Sequence, residues 1–204
     1  MKKSLITSAI AAIAITVTSC GGNSSTTASA TDSTATATDS VAAIAQLTTP
    51  DLTFAEVKGN VKTVANTDPQ YGESHIFEFD AEGNLIKCST YENAKYKRDS
   101  EGQIIAIDVY DEEFAYIWEN ARPSVNTINE PDGTTLTYQF EYDSNGALIK
   151  TTGTSDGPDG VSTWTETYTY GPDSFDDHGN WISRTVYNSD INQTVTATRK
   201  ITYY

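Results

Sequence analysis

The sequence predicts an all-β protein, an antiparallel β-hairpin meander that forms a curved sheet, a half-barrel or a barrel. Two observations lead to this fold class. Aromatic and polar residues alternate, as where Tyr138, Phe140 and Tyr142 are separated by Gln139 and Glu141, and period-two alternation is typical of half-buried strands. A turn motif also recurs along the chain, and hairpins joined in sequence must curl to bury one face.

The turn motif has the pattern Asp-x-x-Gly-x-(Leu/Ile/Trp)-Ile. Aspartate at the first position can accept hydrogen bonds from backbone amides two residues on, and glycine at the fourth can adopt the positive φ that rejoins two strands. Each copy therefore predicts a β-hairpin, and the acidic turns are expected along one rim of the sheet. The four copies carry Asp80 and Gly83, Asp99 and Gly102, Asp143 and Gly146, and Asp176 and Gly179.

The spacing of the copies predicts one further hairpin. The interval between the second and third copies is more than twice the first interval, so we expect a hairpin without the motif around residues 120–123. One short helical turn is predicted within residues 50–58, and no segment shows sustained helical periodicity. Near the end of the chain Val195, Ala197 and Ile201 alternate with polar residues, which predicts a long final strand.

The first nineteen residues are typical of an export signal. Lys2 and Lys3 form a basic head, residues 5–17 are apolar but too few to span a bilayer, and residues 17–20 resemble the lipobox of bacterial lipoproteins. The resemblance implies cleavage before Cys20, lipidation of its sulfur and a membrane anchor in the cell envelope. We expect the anchor in the outer membrane with the protein facing the periplasm, and exposure on the cell surface is the alternative. The alternative is an ordinary secretory signal with an incidental cysteine.

Residues 20–48 are predicted to be a lipidated cysteine followed by a disordered tether, because Ser, Thr and Ala dominate and aromatic residues are lacking. The triplets containing Ser33 and Ser40 are similar to acceptor sites for O-glycosylation. Residues 49–204 are enough for one domain with its own core. If Cys20 carries lipid, Cys88 has no partner in the chain, and alternation places it on the same face as Ile86, as a core residue.

The chain is strongly acidic, with a formal net charge of −15. Nucleic acids and anionic membrane surfaces are recognised through clusters of Lys and Arg. The sequence has no such cluster, so it predicts that the protein binds no nucleic acid and reaches the membrane only through its anchor.

Calcium is the one cofactor that the sequence allows, because Asp-rich turns offer oxygen ligands on irregular backbone. Neither candidate turn has EF-hand spacing, and solvated turns are the alternative reading. A zinc site is not predicted, since His75 and His178 lie in different hairpins. The candidate calcium ligands are Asp156 and Asp159 in one turn, and Asp173, Asp176 and Asp177 in another.

No motif for a catalytic nucleophile or a phosphate-binding loop is present, so the sequence predicts a protein that is not an enzyme. A hydrolase with two carboxylates about 5–10 Å apart remains an alternative.

The aromatic residues are the other candidates for function. Trp118, Trp164 and Trp181 could stack on sugar rings of a glycan, or they could pack in the core.

Two segments carry a resemblance to a known family. Residues 77–85 and 140–148 follow the pattern Tyr/Phe-x-Tyr/Phe-Asp-x-x-Gly-x-Leu, which resembles the YD repeat of Rhs-type proteins, and residues 59–64 and 177–184 are similar to segments of small anchored lipoproteins built from such repeats. The resemblance implies a β-repeat fold and an anchor, with no assigned activity. The resulting prediction is a non-enzymatic, lipid-anchored envelope protein that binds or scaffolds an envelope protein or a glycan.

Overall fold

The structure is a computed structural model that describes residues 46–67, 74–91, 93–109 and 112–204. The predicted lipidation of Cys20 and the predicted O-glycosylation of Ser33 and Ser40 lie outside these residues. Within them, none of the helical segments has the length and apolar character that crossing a bilayer requires.

The described residues form one antiparallel sheet of twelve strands, curved and not closed, which confirms the all-β prediction. One short helix precedes it. The elements are α1 Pro50–Phe54, β1 Val61–Thr67, β2 Ser74–Phe79, β3 Leu85–Cys88, β4 Lys95–Arg98, β5 Ile104–Val109, β6 Glu112–Glu119, β7 Arg122–Asn129, β8 Thr135–Tyr142, β9 Leu148–Gly157, β10 Gly160–Thr169, β11 Ser183–Asn188 and β12 Gln193–Tyr203.

The strand order places the first and last strands side by side. Strands β4 to β12 follow one another as a meander, and β1 then pairs with β12, with β2 and β3 beyond it. The pairing aligns Val64 with Ile201. As a result β3 and β4, which are consecutive in the chain, form the two opposite edges of the sheet.

All four Asp-x-x-Gly copies form the same turn. In the first, Gly83 N donates to Asp80 O and Asp80 N donates to Asn84 O, both at 3.0 Å, and the Asp80 carboxylate accepts from the amides of Glu82 and Asn84. A hydrogen bond from the Asn84 side-chain amide to this carboxylate, together with the backbone bonds, lowers the pKa of Asp80. The antiparallel pairing brings the four turns to one end of the sheet, here named the motif end, as predicted; the opposite end is the far end.

The two apolar residues that close the motif form a β-bulge. Phe79 pairs with Leu85 but Glu78 pairs with Lys87, so Ile86 is an extra residue on its strand. The same shift occurs at Ile105 and at Ile149. In the first copy Leu85 packs against the core, and the bulge then places two successive side chains, Ile86 and Lys87, on the solvent side.

The bulge corrects one prediction. Alternation placed Cys88 on the face of Ile86, and this is wrong, because the extra residue shifts the register between them. Cys88 is 3% exposed, whereas Ile86 is 65% exposed. The prediction that Cys88 is a core residue is confirmed, and burial raises the pKa of its thiol.

The remaining elements follow their sequence signals. The predicted hairpin without the motif joins β6 to β7 through Asn120 and Ala121, both at positive φ, as a two-residue hairpin turn requires. The predicted helical turn is α1. Tyr138 and Phe140 are buried, while on the other face Thr137, Thr154 and Thr163 lie side by side on β8, β9 and β10, where β-branched neighbours stabilise a sheet.

Candidate functional site

Residues 46–59, here named the N-terminal plug, lie across the motif end. The Thr49 hydroxyl caps α1 by accepting from Leu52 N and donates to Gly83 O at 2.6 Å. Leu52 is fully buried, and a Cβ added to Gly83 would lie 2.8 Å from Leu52 Cδ1. The glycine of the first motif is therefore required both for its positive φ and for the close approach of the plug.

Asp51 of the plug connects the two edges of the sheet. Its Oδ2 accepts from Leu85 N of β3 at 2.7 Å, and its Oδ1 accepts from Arg98 Nη1 of β4 at 2.5 Å. Arg98 Nη2 gives a second bond at 3.0 Å, so the guanidinium holds the buried carboxylate with two bonds. One side chain thus bridges the gap at the motif end, and we refer to it as the Asp51 clip.

A second buried carboxylate attaches the plug to the last strands. Glu56 Oε2 accepts from Trp181 Nε1 at 2.7 Å and from Arg184 Nη1 at 3.0 Å, while Arg199 Nη2 donates to Glu56 O at 2.6 Å. Burial raises the pKa of Glu56, and the charges of Arg184 and Arg199 oppose that rise. Burial lowers the pKa of Arg199 to about 9.

Trp181 lies inside this cluster. The guanidinium carbons of Arg184 and Arg199 lie 4.0 Å and 3.9 Å from the centroid of its ring. The tryptophan is only 4% exposed. A sugar ring could not stack on Trp181 without displacing an arginine. Trp118 is half-buried against the core and donates from Nε1 to Ile104 O at 2.8 Å.

Trp164 has a different environment. It pairs across strands with Gly153 of β9, and a Cβ added to that glycine would lie only 2.3 Å from the indole Cε2. The indole therefore rests on the β9 backbone. Tyr138 meets it edge-on, with ring centroids 5.8 Å apart. Like Trp118, Trp164 is half-buried and packs against the core; its distinguishing feature is the glycine beneath the ring, and we refer to it as the Trp164 platform.

The two candidate calcium turns lie at opposite ends of β10. Asp156 and Asp159 flank its start at the far end, and the other three aspartates follow its end at the motif end. Asp176 Oδ1 accepts from His178 N and from Asn180 N, and Oδ2 accepts from the Tyr203 hydroxyl. Within the described ranges, no group of three or more His, Cys, Asp or Glu side chains is arranged to hold a metal ion.

The buried glutamates bear on the hydrolase alternative. Glu166 Oε2 accepts from the Tyr168 hydroxyl at 2.7 Å and its Oε1 accepts from Asn188 Nδ2 at 3.1 Å. Burial raises the pKa of Tyr168 well above its ordinary value. Glu56 and Glu166 are thus both engaged with neighbouring side chains.

One segment of β10 has a strand neighbour on one side only. The pairing of β10 with β11 begins at Glu166 and Asn188, preceded by Thr165, whose O accepts from Ser189 N and whose N donates to Ser189 Oγ. Residues 160–164 extend past this point and pair with β9 alone. We name them the β10 overhang.

The backbone of the overhang offers hydrogen-bonding groups to one side. Successive residues of a strand direct their backbone N–H and C=O groups to opposite sides. Val161 and Thr163 therefore direct these groups to the same side as Thr165. No described residue hydrogen-bonds to these groups. Val161 is 68% exposed, and Gly160, Ser162 and Thr163 are also exposed.

Sequence reasoning did not identify the overhang or the two buried carboxylates. A comparison of strand lengths could have found the overhang. Strand β10 starts at Gly160 and has ten residues, whereas its neighbour β11 has only six and ends at Asn188, before the 189–192 turn. Asp51, Glu56 and Arg199 have no local signal, because their partners lie far along the chain. A scan against protein-family models gives no match, and a search of curated proteins finds no similar one.

Proposed function

We propose that the protein is a non-enzymatic, lipid-anchored protein of the bacterial envelope whose β domain is a binding or scaffold module. The observation that supports this proposal is the β10 overhang. An exposed strand edge can accept an extended segment of another protein, with affinity from backbone hydrogen bonds and specificity from the alternating side chains. The lipid anchor at Cys20 and the YD-repeat resemblance remain inferences from the sequence.

The contrast with the outer edges of the sheet supports a binding role for the overhang. Natural proteins protect edge strands by making them short, by placing Lys on them, or by covering them. Strands β3 and β4 have four residues each, β4 carries Lys95 and Lys97, and the Asp51 clip bridges the two. The overhang, Gly-Val-Ser-Thr-Trp, carries no Lys, and no described residue hydrogen-bonds to its outer backbone groups.

The position of the overhang suits a partner away from the membrane. The chain enters the domain at the motif end, where Gln46 Nε2 donates to His178 O at 2.9 Å. The overhang lies at the other end of β10, roughly 30 Å away at about 3.3 Å per residue. A tether attached at the motif end would therefore leave the overhang facing away from the anchor.

The test is photocrosslinking in the native envelope with the full chain. A photoreactive residue at Thr163 is expected to capture a protein, whereas one at Thr185, which is exposed but lies on a strand paired on both sides, should not. Thr163→Pro should abolish binding of a partner strand at the overhang. It should leave the hydrogen bonds between β9 and β10 intact, because the Thr163 N–H faces outward. Absence of capture at position 163, or equal capture at both positions, would overturn the proposal.

A glycan-binding function is the second candidate, supported by the Trp164 platform. Aromatic rings with one supported face are suited to stacking against an apolar ring face. We expect a glycan that binds to quench the tryptophan emission, and we expect Trp164→Ala to lose that binding while Trp118→Phe keeps it. A glycan array with no positive, or binding that survives Trp164→Ala, would remove this candidate.

A further inference from the structure

We propose that the partner of the β10 overhang is the overhang of a second copy of this chain, paired antiparallel about a two-fold axis. This inference rests on the proposed function, since it takes the overhang to be an edge that binds a protein strand. A two-fold contact uses the same surface on both copies, so the segment must be complementary to itself. Three features of residues 160–164 meet that condition.

The first feature is the hydrogen-bond register. With the axis at Ser162, Val161 of one copy faces Thr163 of the other, and both residues direct their N–H and C=O groups outward. Such a pair exchanges two hydrogen bonds, and the symmetry doubles the number to four. The two Ser162 residues then form the central non-hydrogen-bonded pair, with Cα atoms about 4.5 Å apart.

The second feature is the fit of Trp164. In the same register, Trp164 of one copy lies opposite Gly160 of the other. The sheet already contains this combination, because Trp164 rests on Gly153 of β9. A Cβ built on Gly160 would meet nothing within 4 Å, so there is open space over this glycine for an indole. The pairing would give each Trp164 a glycine on both neighbouring strands.

The third feature is charge. A chain with a net charge of −15 repels its own copies over most of its surface, but the overhang contains no charged residue. The paired segment ends at Gly160, because Asp159 lies in the β9–β10 turn and the outward N–H and C=O groups of Thr165 are already bonded to Ser189. Added salt should therefore strengthen the pairing by screening the remaining repulsion, whereas salt would weaken the binding of a basic peptide.

The size of the contact predicts a weak dimer. Five residue pairs bury less than the roughly 1,200–2,000 Å² of a standard stable interface. The dimer is therefore expected to be populated where the chain is concentrated, as on a membrane, and to dissociate on dilution. A covalent trap is the suitable experiment.

The trap is Ser162→Cys in the full chain, oxidised mildly in its native envelope. At the predicted Cα separation a disulfide can form, so we expect a homodimer that reduction removes, and native Cys88 is buried and does not compete. Thr185→Cys is the matched control and should give no dimer. Adding Thr163→Pro to Ser162→Cys should reduce the dimer yield at least tenfold.

A measurement without cysteines accompanies the trap. Sedimentation of the detergent-solubilised full chain should show a dimer fraction that rises with protein concentration and with salt, and that Thr163→Pro removes. Equal yields from Ser162→Cys and Thr185→Cys, or a fully monomeric chain at all concentrations, would overturn the dimer. If the crosslinker at Thr163 then captures a different protein, the proposed function stands and only this inference fails; if it captures nothing, both fail.

Discussion

The motif end and the far end of the sheet handle exposed backbone in opposite ways. At the motif end the Asp51 clip accepts from Leu85 N and binds Arg98, so both outer edges are tied to the plug. At the far end the β10 overhang continues without a strand on its β11 side among the described residues. An edge within a hairpin array is therefore open or closed according to strand lengths and to a few long-range polar contacts.

The largest effect is expected from breaking the buried cluster of the plug. Glu56→Gln leaves the guanidiniums of Arg184 and Arg199 buried without a carboxylate, and loss of one partner of a buried ion pair typically costs about 3–5 kcal/mol. Urea unfolding at neutral pH measures this loss. The exposed Glu119→Gln is the control and should change the free energy of unfolding by less than about 0.5 kcal/mol; equal effects of the two would contradict the closed description of the motif end.

The Asp51 clip should matter somewhat less, and locally. Asp51→Ala removes the acceptor for Leu85 N and the counter-charge of Arg98, for an expected loss of about 2–4 kcal/mol. Hydrogen exchange should accelerate more in β3 and β4 than in β8 and β9. Asp159→Ala, at the exposed β9–β10 turn, provides the comparison. A uniform acceleration over the sheet would show that the carboxylate does not act as a clip between the edges.

At the far end, Gly153→Ala tests the support of Trp164. The added Cβ would lie 2.3 Å from the indole, and overpacking of this kind costs about 1–3 kcal/mol. Gly171→Ala is the matched control, because its Cβ would lie 3.8 Å from Ser174 Oγ. In a Trp164→Ala background, Gly153→Ala should cost less than it does in the native chain, because the indole that the Cβ would meet is absent. An equal cost in both backgrounds would mean that the glycine is needed for another reason.

A gradual effect is expected on alkaline stability. Burial raises the pKa values of Tyr116 and Tyr168 well above 10, and that of the Cys88 thiol above its ordinary value. The unfolded chain loses these protons first, so stability is fully present below the ordinary pKa values and falls as pH rises past them, by up to about 1.4 kcal/mol per pH unit for each group. Urea midpoints between pH 8 and 11 measure the slope.

Two variants sharpen that measurement. Tyr168→Phe should make the slope shallower by one proton, because it removes one of the groups that titrates only in the unfolded chain. Tyr187→Phe, at an exposed position, should leave the slope unchanged. An unaltered slope in Tyr168→Phe would show that its hydroxyl titrates alike in both states.

Local patterns account for most of the fold. The hairpins, the rim of acidic turns and the alternation in β8, β10 and β12 follow from adjacent residues, which interact within one turn or one strand. The bulge at Ile86 cannot be predicted in this way. One extra residue hardly changes the apolar pattern of the sequence, but it moves Cys88 to the opposite face of the strand. The pairing of β1 with β12 and the partners of Asp51 and Glu56 depend on contacts across most of the chain, and neither periodicity nor turn chemistry reports on those.

The candidate site was less accessible to sequence reasoning. The sequence singles out the tryptophans as a group, but their environments depend on whether a glycine or an arginine lies opposite: Trp164 rests on Gly153, whereas Trp181 lies between Arg184 and Arg199. A stacking role for them remains a prediction. The overhang is a property of relative strand length. The predictions for calcium, lipidation, glycosylation and the YD-repeat family remain predictions.

The attachment of the plug to β12 has a consequence for the order of folding. Arg199 donates to the carbonyl groups of Ala55 and Glu56, which precede it by 144 and 143 residues. Contacts between residues so far apart in the sequence form late and slowly. A chain that is still being synthesised also lacks the strand β12 that completes them. The domain therefore cannot complete its folding until its last residues are available. This would keep the chain unfolded enough to cross a membrane during the export that residues 1–19 predict.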